Sequence, residues 1–167
     1  MVSEGGASRE DGQATPQTFI EGMNSRARGG LEPEFEMVGF HDMLYAKDMQ
    51  ILFFQPGHVV FTVPVAARLT NRYQTMHGGV IASLVDLSGT LASLSLIGPS
   101  RSMVTTDMNI SYIAAAPADR EVEVEAKLLQ QGETVTVSVD LRDIASRKFV
   151  AQGRISMRLS SHPLSKL

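Results

Sequence analysis

The stretch His77-Gly78-Gly79-Val80-Ile81-Ala82-Ser83-Leu84-Val85-Asp86-Leu87-Ser88-Gly89-Thr90-Leu91-Ala92 limits what this chain can become more than any other. A glycine pair opens a run with apolar residues on almost every side, the pattern of a helix buried all round. The rest of the chain then has to supply the walls around it. The polar positions Ser83, Asp86, Thr90 and Ser93 recur at three, four and three residues, so they form one narrow stripe. Asp86 is the only charge on it. A carboxylate in such surroundings costs several kcal/mol unless it is paired, hydrogen-bonded or hydrated. Asp86 is therefore either a satisfied anchor or a working group, and the sequence leaves both open.

The glycines bear on that choice. The first amides of a helix have no partner inside it and point at whatever lies beyond the N-terminus. Without a β-carbon at Gly78 or Gly79 a ligand oxygen can approach those amides, and the helix dipole favours negative charge there. The plain alternative is a tight turn. Gly78 and Asp86 are eight residues apart, about 12 Å along one helix, too far to act on one reacting carbon. Cooperation between them requires the carboxylate of a second copy, its helix antiparallel across a two-fold axis, which creates two equivalent sites per dimer.

A chain of 167 residues with 43% apolar content suits one domain with a real core. A net charge of −3 leaves no basic footprint for nucleic acid. The absence of cysteine excludes disulfides, zinc-thiolate sites and cysteine nucleophiles together. No uninterrupted apolar run reads as a membrane span, and no secretory signal is visible. The expected compartment is the cytoplasm, with the mitochondrion as the alternative. Residues 1–16, rich in Gly, Ser, Glu, Asp and Gln, read as a disordered leader. Residues 17–45 read as a short surface helix over 18–28, stopped by Gly29-Gly30, followed by an irregular segment, with Phe35 and Phe40, covering or packing against an apolar slot.

Strand signals run over 49–54, stop at Gln55-Pro56-Gly57 and resume over 58–65, where His58 reads as a solvated strand start. After the helix, which should end near Gly98-Pro99, the segment 103–112 sets Val104, Thr106, Met108, Ile110 and Tyr112 on one face. Thr105, Asp107, Asn109 and Ser111 fall on the other, a polar but hardly charged wall. Two cleaner strands alternate through Val122, Val124, Ala126 and Leu128, then Val135, Val137, Val139 and Leu141. A last strand over 148–159 places Phe149, Ala151, Ile155, Met157 and Leu159 inward, and 161–167 is a tail. The order implies an α+β domain over 46–160, one antiparallel sheet wrapped around one long central helix.

In that frame, Asn71, His77-Gly78-Gly79 with Leu84-Val85-Asp86, Asp107-Met108-Asn109-Ile110-Ser111-Tyr112, Gln131-Gly132 with Thr134, Val139-Asp140-Leu141 and Ala151-Gln152-Gly153-Arg154 together resemble the hotdog-fold acyl-CoA thioesterases. The likeness is to the phenylacetic-acid-pathway type, especially its eukaryotic thioesterase superfamily member 2 branch, over roughly residues 44–160. The resemblance implies hydrolysis of an acyl-CoA thioester to free acid and CoA by a homodimer, usually a dimer of dimers, with sites at the seam. It implies no cofactor beyond the substrate's CoA and no metal. Carried over, the Gly78 amide polarises the carbonyl and Asp86 of the neighbouring protomer is base or nucleophile. Asn71 and Thr105 place water or substrate, and His77 fixes the loop at the helix start. CoA would lie along Gly79, Tyr112, the hairpin of Gln130, Gln131, Gly132, Glu133, Thr134 and Val135, and Arg158. The relatives carry lysines near Gln130 and Glu133, so one phosphate contact is lost here or supplied elsewhere, with Arg101 and Arg154 as candidates.

Such chemistry needs no Ser-His-Asp triad, because a thioester carbonyl is already electrophilic and one preorganised donor plus one carboxylate suffices. Two alternatives share the fold: a hydroxyacyl-CoA dehydratase, which would set an acid beside a histidine near the helix start, and a non-catalytic acyl-CoA sensor, which would not need Asp86.

Overall fold

Strict alternation builds the centre of the sheet first. The computed structural model describes residues 44, 45, 48–97 and 103–160. Within them lie β1 (Gln50–Gln55), β2 (His58–Pro64), α1 (Gly78–Ile97), β3 (Met103–Tyr112), β4 (Glu121–Gln130), β5 (Thr134–Asp143) and β6 (Phe149–Leu159), with one 3-10 turn at Ala67–Leu69. The leader, the expected helix over 18–28, Phe35, Phe40, the Gly98-Pro99 stop, Arg101 and the tail lie outside the described residues.

All pairings are antiparallel, in the order β1-β2-β4-β5-β6-β3. Val122, Val124 and Ala126 of β4 and Val137, Val139 and Leu141 of β5 are fully buried on one face, because α1 lies across it. From the helix, Leu84, Val85 and Leu91 complete that core. The helix is long and apolar enough in composition to cross a bilayer, contrary to the expectation that its run was too interrupted. Its seat in the hollow of the sheet accounts for that apolarity.

Helix and sheet approach closely through a reciprocal pair. Val85 of α1 stands over Gly153 of β6, where an added Cβ would lie 2.8 Å from Val85 Cγ1. Ile155 of β6 stands over Gly89 of α1, where a Cβ would lie 2.5 Å from Ile155 Cγ2. Each element carries a glycine where the other carries a branched side chain.

Two β-bulges redirect side chains that simple alternation placed elsewhere. In β6, Leu141 opposes Ala151 while Arg142 opposes Phe149, which leaves Val150 as the extra residue. Phe149 therefore turns to the outer face, where the Arg142 guanidinium sits 4.3 Å from its ring centroid, and Val150 takes the buried place. The inward expectation for Phe149 fails for that reason. Leu159, also expected inward, is exposed at the strand end. The second bulge, in β3, shapes the site.

The outer face carries an ionic network rather than a solvated histidine. His58 Nε2 lies 2.9 Å from Glu125 Oε1, which also takes Lys127 Nζ at 2.6 Å, and Glu125 Oε2 meets Arg142 at 3.2 Å. Arg142 also holds Asp140 at 2.6 Å. Burial by itself raises the Glu125 pKa, but hydrogen bonds from Lys127, His58 and Arg142 and the Lys127 charge outweigh it and bring it to about 2. Asp143, nearly buried, is held well below the carboxylate range by the hydrogen bonds of Arg120 and Ser146. Both folded-state pKa values are depressed, so the stability they contribute is complete above the unfolded pKa and is lost as pH falls through the folded one. The urea midpoint should hold from about pH 7 to 5 and fall steeply below about pH 4.5, and Glu125→Gln should flatten that fall. A midpoint independent of acid, or a slope unaltered in Glu125→Gln, would contradict this account.

Candidate active site

The helix start is organised by its own cap. The His77 carbonyl accepts the N–H groups of Val80 and Ile81 at 2.9 and 3.1 Å, and the His77 ring Nδ1 accepts the Gly79 N–H at 2.9 Å. His77 thereby acts as N-cap, using a ring nitrogen where Ser or Asp would use an oxygen. The Gly79 amide is consumed by this bond. The Gly78 N–H has no acceptor among the described residues, so of the two glycines it is Gly78 that offers an open amide at the positive end of α1. A side chain at Gly79 would meet His77 Nδ1 at 3.0 Å, whereas one at Gly78 would only touch the Tyr112 ring at 3.5 Å.

The segment before the cap is built by Asn71. Its Oδ1 accepts the N–H of Tyr73 at 2.9 Å and of Thr75 at 3.3 Å, and its Nδ2 donates to Thr75 Oγ1 at 3.0 Å. Met76 N–H donates to Ala116 O and Ala118 N–H to Gln74 O, both at 2.8 Å. These bonds lace residues 71–76 to the loop after β3 and hold His77 in place. Asn71 thus has its side chain committed within the loop. Thr75, its partner, went unremarked in the sequence because no periodicity marks a residue that works through one neighbour.

Asp86 lies eight residues along α1, half-buried. Thr105 Oγ1 donates to Asp86 Oδ1 at 2.6 Å, and Asp86 Oδ2 has no partner among the described residues. Simple alternation set Thr105 on the face opposite Tyr112. The bulge between Thr105 and Asp107 removes that difference: Thr105 opposes Met157, Met108 opposes Ile155 and Tyr112 opposes Ala151, all buried, helix-facing residues of β6. Thr105 and Tyr112 therefore both face α1. Tyr112 donates its hydroxyl to Gly78 O at 3.3 Å, so Thr105 and Asp86 meet near one end of β3 and Tyr112 and Gly78 near the other.

The remaining carried-over residues sit with the first of these ends. Arg158 opposes both Val104 of β3 and Thr134 of β5. Gln130, Gln131, Gly132 and Glu133 are exposed in the β4–β5 hairpin, and Val135 is buried against the core, leaving only its backbone to a ligand. Arg158 is ion-paired to Glu133. Seven residues of β6 separate Ala151 from Arg158, on the order of 20 Å along a strand. One protomer therefore does not bring Tyr112 and Gly78 together with Asp86, Arg158 and the hairpin. Among the described residues no cluster of three His, Cys, Asp or Glu side chains is placed to hold a metal.

Comparison with known proteins meets this geometry. The sequence profile of the Thioesterase superfamily matches residues 73–148, which include the helix start, Asp86 and Tyr112. Acyl-coenzyme A thioesterase 13 of Mus musculus is 31% identical over 143 residues, 85% of this chain and all of that protein. The crystal structure of zebrafish thioesterase superfamily member 2 is similar with a TM-score of 0.71 at 31% identity, over 87% of this chain and 99% of that one. A hypothetical thioesterase protein from Streptococcus pneumoniae, solved with coenzyme A, is similar with a TM-score of 0.63 at 26% identity, over 68% and 90% of the two chains. An amide left open at a helix start, a carboxylate held by a threonine and a full-length match to a thioesterase agree: the chain belongs to the thioesterase superfamily of hotdog-fold enzymes, and its reaction class is thioester hydrolysis.

Proposed function

We propose that the protein hydrolyses acyl-CoA thioesters to the free acid and CoA, as a homodimer paired through β3. The observation that carries the reading is the division of the machinery between two ends of one strand. β3 is an edge strand whose outer side is unpaired among the described residues, and Val104 (54% exposed) and Tyr112 (58%) stand open along it, with Ile113 (52%) just past its end. An exposed apolar edge is a template for another strand. Antiparallel pairing of β3 with the β3 of a second copy sets the Tyr112 end of one protomer beside the Thr105 end of the other. Gly78 then faces the partner's Asp86, and Tyr112 faces the partner's hairpin and Arg158. The same two-fold yields two sites.

In each site the Gly78 N–H, backed by the helix dipole, donates to the thioester oxygen as it gains charge. Asp86, oriented through its Oδ1 by Thr105, takes a proton from water on its free Oδ2. The hydroxide attacks the carbonyl carbon, the C–S bond breaks, and the proton held on Asp86 passes to the departing thiolate, which leaves as CoA. The exposed His77, with Nδ1 tied to the Gly79 amide and no carboxylate partner among the described residues, is unsuited to the acid–base pair of a dehydratase. Likeness to a thioesterase solved with coenzyme A supports CoA as the carrier.

A thiol-release assay across short, medium, long-chain and aryl acyl-CoAs tests the reading. Turnover of at least one class, at a rate well above the free-solution reaction, is expected. Acyl-CoA binding with no thiol released from any of them would overturn hydrolysis and leave a sensor.

A further inference from the structure

A cavity of about 230 Å³ opens just beyond the C-terminal end of β3, between the segment following Tyr112 and the β5–β6 turn. Ala114, Ala115 and Phe149 give it apolar walls, and Arg120, Ser146 and Lys148 give it polar ones. The walls are fixed: Ile113 and Ala114 N–H both donate to Val150 O, at 2.9 and 3.1 Å. Asp143, the one carboxylate at the cavity, is fully engaged. Its Oδ2 accepts Arg120 Nε at 3.0 Å, and its Oδ1 accepts Arg120 Nη2 at 2.8 Å and Ser146 N–H at 2.7 Å. Arg120 Nη1 is left over, and Lys148 has no carboxylate within ion-pair distance among the described residues. Two cations against one satisfied anion leave the cavity net positive.

The charge balance elsewhere sharpens the contrast. At the hairpin, Arg158 is neutralised by Glu133. Arg154 lies on the outer face of the sheet, opposite Asn109 and Ser138, and Arg72 is laid over the Tyr73 ring. Of the two cations lining this cavity, Lys148, two residues past Ser146 and beside Phe149, is the one with no carboxylate partner among the described residues. Resting on the acyl-CoA reading above, we infer that this cavity receives a phosphate group of CoA, held by Lys148 and the free Nη1 of Arg120, and replaces a phosphate contact that the Glu133–Arg158 pair withdraws. A phosphate oxygen suits such a site because it accepts charge-assisted hydrogen bonds from both cations.

Calorimetric titration of the full chain with CoA, 3′-dephospho-CoA and pantetheine tests this without relying on turnover. Lys148 is exposed and makes no ion pair among the described residues, so Lys148→Glu should fold as the parent does; Arg120 is avoided because it holds Asp143. Lys148→Glu should weaken CoA binding by about tenfold, more at low salt than at high, and leave pantetheine unchanged. A smaller loss with dephospho-CoA puts the 3′-phosphate in the cavity, and an equal loss puts the diphosphate there; either outcome supports the site. Unchanged CoA binding in Lys148→Glu, an equal loss for pantetheine, or a loss in Arg154→Glu alone would overturn it. Wild-type protein that binds CoA with this Lys148 dependence yet releases no thiol would instead remove the hydrolase reading and leave the phosphate site standing.

Discussion

Asp86→Asn should lower kcat by at least about two orders of magnitude while the protein stays folded. The substitution keeps the size of the side chain and an oxygen for Thr105, whose 2.6 Å bond to Oδ1 then orients a group with no basic oxygen to offer. Loss should therefore appear in kcat, with KM for acyl-CoA little changed, because nothing assigns Asp86 to ground-state binding. The proposed division of the site between protomers gives a sharper expectation. A bulky residue at Gly78, such as Val, should abolish activity by blocking the approach to the amide. Co-expressing Gly78→Val with Asp86→Asn should restore roughly a quarter of wild-type activity, since half the random dimers are mixed and each has one intact site. Two inactive homodimers that stay inactive when mixed would place both groups in one protomer, against the roughly 12 Å between them. Incorporation of 18O into Asp86 after a single turnover in labelled water would show that it attacks the carbonyl itself rather than activating water.

Gly153→Ala should cost about 1–3 kcal/mol, a fall in Tm of several degrees for a chain of this size. The new methyl would lie 2.8 and 2.9 Å from the two Val85 methyls, and neither side can yield, since Val85 is itself buried in α1 and Gly153 is fixed by pairing to both Ile110 and Val139. The remedy is local. Val85→Ala alone should destabilise by leaving a void, but Val85→Ala with Gly153→Ala should be more stable than the sum of the two single changes, because each relieves the other. Additive losses would mean that the helix has simply shifted away. The same reasoning applies at Gly89, where Ile155 Cγ2 would come within 2.5 Å of a Cβ. Because α1 carries both Gly78 and Asp86, any retreat of the helix from β6 also pulls Asp86 from Thr105, so activity should fall with stability in the single variants and return in the pair.

Much of this was legible in the residues. The glycine-opened apolar run predicted a central helix, and the alternation of Val122 to Leu128 and of Val135 to Leu141 predicted the middle strands, because burial on one face imposes a period of two. The stripe through Asp86 and the open helix start singled out the two groups on which the proposed chemistry rests. Alternation failed where a bulge intervenes. Phe149 was placed inward and lies outward, and Thr105 was placed away from Tyr112 and shares its face. One inserted residue reverses every side chain beyond it, and nothing in the local composition of Thr105-Thr106-Asp107 or Phe149-Val150-Ala151 marks the insertion.

What the sequence determined by itself was therefore the set of elements and the candidate groups of the site, both carried by local pattern: apolar periodicity, a glycine pair and one charge where none is expected. Tertiary structure alone decided where those groups sit and what each is bonded to. It committed the Gly79 amide to His77 and left that of Gly78 open, and it turned Thr105 inward to hold Asp86. It also paired Glu133 with Arg158 and set the Thr105–Asp86 and Tyr112–Gly78 contacts toward opposite ends of β3. Each depends on contacts between residues distant in the chain, whose register is fixed only when the sheet closes around the helix.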